Sequence, residues 1–169
     1  YQQCKIIFPK EYFEIHNPAV SISGYGDEGA ANHLRISKSD NEKGFEIFVY
    51  GESGFKIDKT LVKRQALEVS RSIAINHKLD MENTFFLQQK HQAIEEGSFH
   101  NDIVSLSNKN VFIAHEDAFQ NRDDLKKMLN ILESKIDNFQ YIEISNSEIP
   151  LKDIILSLIH ISEPTRQRV

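Results

Sequence analysis

The sequence predicts an α/β fold assembled from two copies of a strand–strand–helix–strand unit. Three observations carry this reading. Two pairs of short runs alternate apolar and polar residues, each pair joined by a polar loop; an apolar stripe at helical spacing follows each pair; and a further short apolar strand accompanies each helix.

In chain order, Leu34 and Ile36, then Phe45, Ile47 and Val49, mark two strands of period two around the loop SKSDNEKG, which reads as a hairpin. Val62, Ala66, Val69 and Ile73 recur at helical spacing, with Thr60 as the expected N-cap and His77 and Lys78 near the C-terminal end, where positive charge is favoured. FFLQQ from Phe85 is a short strand. A second hairpin is expected from residues 102–106 and 111–114, turning on SNKN. Leu125, Met128, Leu129, Leu132 and Ile136 form the second stripe, opened by Asn121 with Asp123 and Asp124 in the first turn, and YIEIS from Tyr141 closes the unit. The two helices start about 60 residues apart, a spacing comparable to a small propeller blade. The segments before each hairpin, EGAANHLRI from Glu28 and EGSFHNDIV from Glu96, echo one another and point to one end of the architecture as the place for a site.

Composition fits one soluble globular domain: 169 residues, 40% hydrophobic, 27% charged, with a formal net charge of −5. Basic residues are scattered, which argues against nucleic acid and anionic membrane surfaces as partners. The longest mostly apolar stretch, residues 154–161, is far shorter than the ~20 residues that span a bilayer. Cys4, the single cysteine, excludes an internal disulfide and cysteine-rich zinc patterns, so a reducing cytoplasm is the expected compartment; QQCKIIF around it reads as the start of a buried strand. The opening lacks the order of a signal peptide and starts at Tyr1, the pattern of an internal fragment. LSLIHISEPTR, residues 156–166, reads like translated sequencing adapter, so residues 1–155 are expected to form the domain and residues 156–169 to be non-native. The alternative for the tail is an amphipathic helix ended by Pro164.

Chemistry-bearing residues gather in the echoing loops. GDEGAANH, residues 26–33, sets Asp27, Glu28, Asn32 and His33 among small residues that let backbone approach a ligand closely. GSFHND places His100 two residues before Asp102. An imidazole that titrates near neutrality, with a carboxylate from another loop to orient it, suits general acid–base chemistry. Taken alone, Glu28 as a turn cap, His100 as a backbone-satisfying loop residue and Arg64 as a solvated helix residue are the plainer readings. His115-Glu116-Asp117 and His100-Asn101-Asp102 raise a metal site as a rival, without a dense ligand cluster behind it. His16, His77 and His91 are read as surface or packing residues.

Taken in order, GDEGAANH, FVYG at 48–51, RQA at 64–66 and QQKHQAIEEGSFHNDIVSLSNKNVFIAHEDAF at 88–119 resemble the N-succinylarginine dihydrolase family of the guanidine-modifying pentein superfamily. The resemblance runs from about residue 26 to 119 and more loosely to 155. It implies a partial α/β propeller, the pentein fold, and hydrolysis of N2-succinylarginine to N2-succinylornithine, ammonia and carbon dioxide. No metal and no organic cofactor are implied, and the full-length enzyme is expected to be a cytoplasmic homodimer. Glu28 and His100 match the family's catalytic glutamate and histidine; Arg64 and Asp102 match substrate-contacting positions. A carboxylate such as Asp102 suits the guanidinium fork, and an arginine such as Arg64 suits the succinyl carboxylate. The family's cysteine nucleophile lies in a glycine-rich segment ending PACLRLRV, which does not occur here, and Cys4 matches no family motif. The chain by itself is therefore expected to be inactive. Two alternatives stand beside this one: another guanidine-modifying hydrolase resembling arginine deiminase, which would need no partner at Arg64, and a non-catalytic propeller.

Overall fold

A computed structural model describes residues 1–17, 30–52, 65–98 and 100–162, with the side chains of residues 30 and 158–162 excepted. It contains two three-stranded sheets of the same topology. In the first, β1 (His33–Ile36) and β2 (Phe45–Tyr50) form an antiparallel hairpin in the register His33 opposite Phe48 and Ile36 opposite Phe45. The chain then passes through α2 (Leu67–Asn76), numbered after the N-terminal α1 (Gln2–Ile7), and returns as β3 (Thr84–Gln88), parallel to β2. After a short α3 (His91–Glu95), the second sheet repeats the plan: β4 (Ser105–Asn108) antiparallel to β5 (Val111–His115), then α4 (Arg122–Lys135), then β6 (Gln140–Ile144) parallel to β5. The described chain ends in α5 (Leu151–Ser162).

Local chemistry accounts for these elements. Asn121 Oδ1 accepts the backbone N–H groups of Asp123 and Asp124 at 3.0 and 3.3 Å, so α4 starts where the sequence places it. Leu125, Met128 and Leu132 then bury the stripe of α4, each at most 2% exposed. In β2, three consecutive residues, Ile47, Phe48 and Val49, are buried, as in a central strand covered on both faces. Gly44 closes the first hairpin because a Cβ there would lie 2.7 Å from the Ile36 carbonyl oxygen.

The two units share one core, in which Ile36, Ile47 and Leu87 from the first sheet join Phe112 and Ala114 from the second sheet and Leu132 from α4. Their edges meet at β1 and β4: Ser107 Oγ donates to the Arg35 carbonyl at 3.0 Å, and Ser37 N–H to that of Lys109 at 3.0 Å. An antiparallel bridge between Gln89 and Phe119 ties the segment after β3 to the segment between β5 and α4.

Three expectations change. The first helix starts at Leu67; Ala66 is extended and bridges Glu52, because Gly51 and Leu67 donate hydrogen bonds that hold residues 65–67 beside the end of β2. Thr60 and Val62 lie outside the described residues. The second hairpin starts at Ser105, and its turn is Lys109–Asn110, with Lys109 at φ 53°; Asp102 stands in a 3-10 turn before the strand. Cys4 is exposed on α1, a helix with no buried residue, and begins no strand. An unbroken apolar run fits strand and helix alike, and here the Phe8-to-Cys4 and Lys5-to-Tyr1 backbone bonds satisfy the segment without a ladder neighbour.

Candidate active site

The turn that carries His100 is built from its neighbours upward. α3 ends in a Schellman motif: Gly97, at φ 112°, donates to the Ile94 carbonyl at 3.1 Å, and Ser98 to that of Ala93 at 2.9 Å. That positive φ suits glycine and reverses the chain toward the site. Ser98 is fully buried and accepts Gln89 Nε2 on both its carbonyl, at 3.0 Å, and its hydroxyl, at 3.1 Å. The hydroxyl of Ser98 donates in turn to the His100 carbonyl at 3.4 Å. His100 is the N-cap of the 3-10 turn Asn101–Ile103, whose Ile103 N–H also reaches the His100 carbonyl, at 3.3 Å.

Asn101 is fully buried, between two exposed residues, His100 and Asp102. Its Oδ1 accepts the Ser105 hydroxyl at 2.7 Å, and its backbone N–H donates to Asn32 Oδ1 at 3.2 Å. Asn32 is 2% exposed and ends the 3-10 turn Ala30–Asn32, so the two echoing loops are joined by a buried hydrogen bond across 69 residues. The Nδ2 of Asn101 has no hydrogen-bond partner among the described residues, an unusual state for a buried amide.

Asp102 lines a groove of about 420 Å³ together with Ala31, His33, Arg35, Leu106 and Ser107. Glu46 spans two of these residues, with its carboxylate oxygens 2.8 Å from His33 Nε2 and 3.3 Å from Arg35 Nε. The His33 ring stacks on Phe48 with centroids 4.3 Å apart, and Arg35 Nη2 donates to the Glu42 carbonyl at 2.5 Å. The His33 ring and the Arg35 guanidinium are thus both engaged within the first hairpin, whereas Asp102 forms no ion pair among the described residues. That carboxylate can pair with a cationic ligand fork.

His100 and Asp102 are therefore carried on one turn, with His100 outside the residues that line the groove. Glu28 and Arg64 lie outside the described residues. Gln89, Ser98 and Asn101 were not singled out as site residues from the sequence; what marks them is burial with side-chain hydrogen bonds between separate segments, which no local spacing shows. His115 is 1% exposed, accepts the Asp117 N–H on Nδ1 at 3.1 Å and donates from Nε2 to the Ile149 carbonyl at 3.1 Å. Its ring is structural, and no group of three or more potential metal ligands occurs among the described residues.

The family model for succinylarginine dihydrolase matches residues 1–163. The N-succinylarginine dihydrolase of Ectopseudomonas mendocina is 38% identical over 162 residues, covering 91% of this chain and 36% of the relative. That of Aliivibrio fischeri is 37% identical over 156 residues, covering 89% and 35%, and that of Sphingopyxis alaskensis 40% over 121 residues, covering 72% and 28%. The chain spans about a third of the length of these curated relatives.

Proposed function

Because the chain belongs to the succinylarginine dihydrolase family, we propose that it forms part of an enzyme that hydrolyses N2-succinylarginine to N2-succinylornithine, ammonia and carbon dioxide. The observation that carries this reading is the display of His100 and Asp102, both exposed, on one turn whose intervening Asn101 is buried and tied to the loop that follows Glu28. The two sheets are then two blades of a larger α/β propeller. The enzyme works without metal or organic cofactor, as a homodimer in the cytoplasm.

In this mechanism Asp102 pairs with the guanidinium, and Arg64 receives the succinyl carboxylate. A cysteine thiolate adds to the guanidinium carbon, and one C–N bond breaks as His100 gives its proton to the leaving ammonia. Water then attacks the carbon while His100 takes its proton, and the C–S bond breaks to restore the thiolate. A second round on the resulting ureido group releases the second ammonia and a carbamate, which loses carbon dioxide. Glu28 serves as the second acid–base group of the site. Cys4, exposed on α1, is not assigned the thiolate role, which falls to a part of the enzyme outside these 169 residues.

The test is steady-state ammonia release by the full-length enzyme from succinylarginine and from free arginine in parallel. Arg64→Gln deletes a charge-assisted pair of order 1.5–3 kcal/mol, so kcat/KM on succinylarginine should fall roughly tenfold to a hundredfold with little change on arginine. An equal loss on both substrates would contradict the assignment of Arg64 and favour the deiminase-like enzyme. No release from either substrate by the unsubstituted enzyme would favour the non-catalytic propeller.

A further inference from the structure

We propose that Asn32 is a positioning residue for His100, its Oδ1 clasping the Asn101 N–H so that the loop following Glu28 and the turn bearing His100 are held in one register. The inference rests on the reading of His100 as the proton-transfer residue. Asparagine at the end of a short turn ordinarily spends its side chain on nearby backbone. Asn32 also reaches across 69 residues, its Oδ1 accepting the backbone N–H immediately after His100.

Both partners are buried, Asn32 at 2% exposure and Asn101 at 0%, so water cannot replace the bond without the turn opening. The opposite side of Asn101 is pinned by the Ser105 hydroxyl at 2.7 Å, and the His100 carbonyl is pinned by Ser98 and Ile103. Removing the Asn32 acceptor therefore leaves an unsatisfied N–H whose simplest relief is a shift of the segment that carries His100. A displacement of about 1 Å at a catalytic group can cost roughly a hundredfold in rate.

The experiment uses the full-length enzyme with succinylarginine. Asn32→Ala should lower kcat by roughly tenfold to a hundredfold with a smaller rise in KM, because Asp102, which pairs with the guanidinium, rides on the same turn as His100 while the Arg64 contact is untouched. Asn32→Asp keeps an acceptor of the same shape and should recover kcat to within about tenfold of the unsubstituted enzyme. Leu132→Ala, on the buried face of α4, is the destabilised control: it should lower the melting temperature without the loss in kcat. A wild-type kcat in Asn32→Ala, a loss in Asn32→Asp equal to that in Asn32→Ala, or the same kcat loss in Leu132→Ala would each overturn the proposal. Hydrogen exchange on the unsubstituted enzyme needs no variant to fold. The Asn101 amide should be protected like that of Ala114 in β5, and exchange as fast as at Lys109 in the hairpin turn would overturn the clasp. Failure of the unsubstituted enzyme to turn over succinylarginine would instead strike the functional reading, while the exchange result still decides the clasp.

Discussion

A histidine whose two ring nitrogens are both committed to backbone groups has no lone pair left for a metal, and His115 is such a residue. Its neighbour Asp117 shows a different balance. Partial burial opposes ionisation of that carboxyl, but hydrogen bonds from Lys90 and from Asn146 Nδ2 outweigh it and hold the group below the usual carboxylate range. A folded-state value below the unfolded one, near 3.9, means that the bridge contributes its stability above the unfolded value and loses it as pH falls through the folded one. The thermal stability of the 169-residue chain should therefore fall from about pH 5 to pH 3 more steeply than that of Asp117→Asn, which has no carboxylate to titrate. Equal slopes would show that Asp117 contributes nothing to the acid transition. Glu143 follows the same sign, held down first by its hydrogen bond from Arg122.

At the scale of elements, the legible parts are those whose signals are local. Asn121, the two following aspartates and the Leu125–Met128–Leu132 stripe specify α4 within one turn of chain at a time, and the alternation in residues 33–50 specifies β1 and β2. The position of Asp102 was not legible. Its 3-10 turn is tied to the first unit by the buried Asn101–Asn32 bond, a contact no window of neighbouring residues contains. The Schellman motif at Gly97 was hidden for another reason: α3 has only five residues, too few for a hydrophobic period to show. α5 crosses from the residues expected to be native into those expected to be adapter. Among its described side chains, the buried ones, Leu151 and Ile155, precede the boundary, and Leu156 is 53% exposed. Deleting residues 156–169 should shift the melting temperature of the chain by less than about 2–4 °C, the effect of 1 kcal/mol in a chain of this size. A larger loss, followed by circular dichroism, would mean that the tail packs as a native element.

For the whole molecule, two sheets of one topology share a core and bring two loops of similar sequence together through Asn32 and Asn101. The repeat was readable because hairpin, helix and return strand each carry their own periodicity. Much of the candidate site was readable only through the family resemblance, since one glutamate, one histidine and one arginine in separate segments have no distinctive spacing. Among the described residues, no helix is long and apolar enough to cross a membrane. The 169-residue chain alone should release no ammonia from succinylarginine, because exposed Cys4 on α1 is its one thiol and is not assigned to the site. Release that Cys4→Ser abolishes would contradict that assignment. The most direct measurement for the central claim is His100→Ala in the full-length enzyme, with ammonia release and succinylarginine binding measured side by side. The account predicts turnover reduced by at least about a hundredfold with binding within about threefold of the unsubstituted enzyme, since the imidazole moves protons and does not hold the substrate. Unchanged turnover, or binding lost in step with turnover, would contradict it.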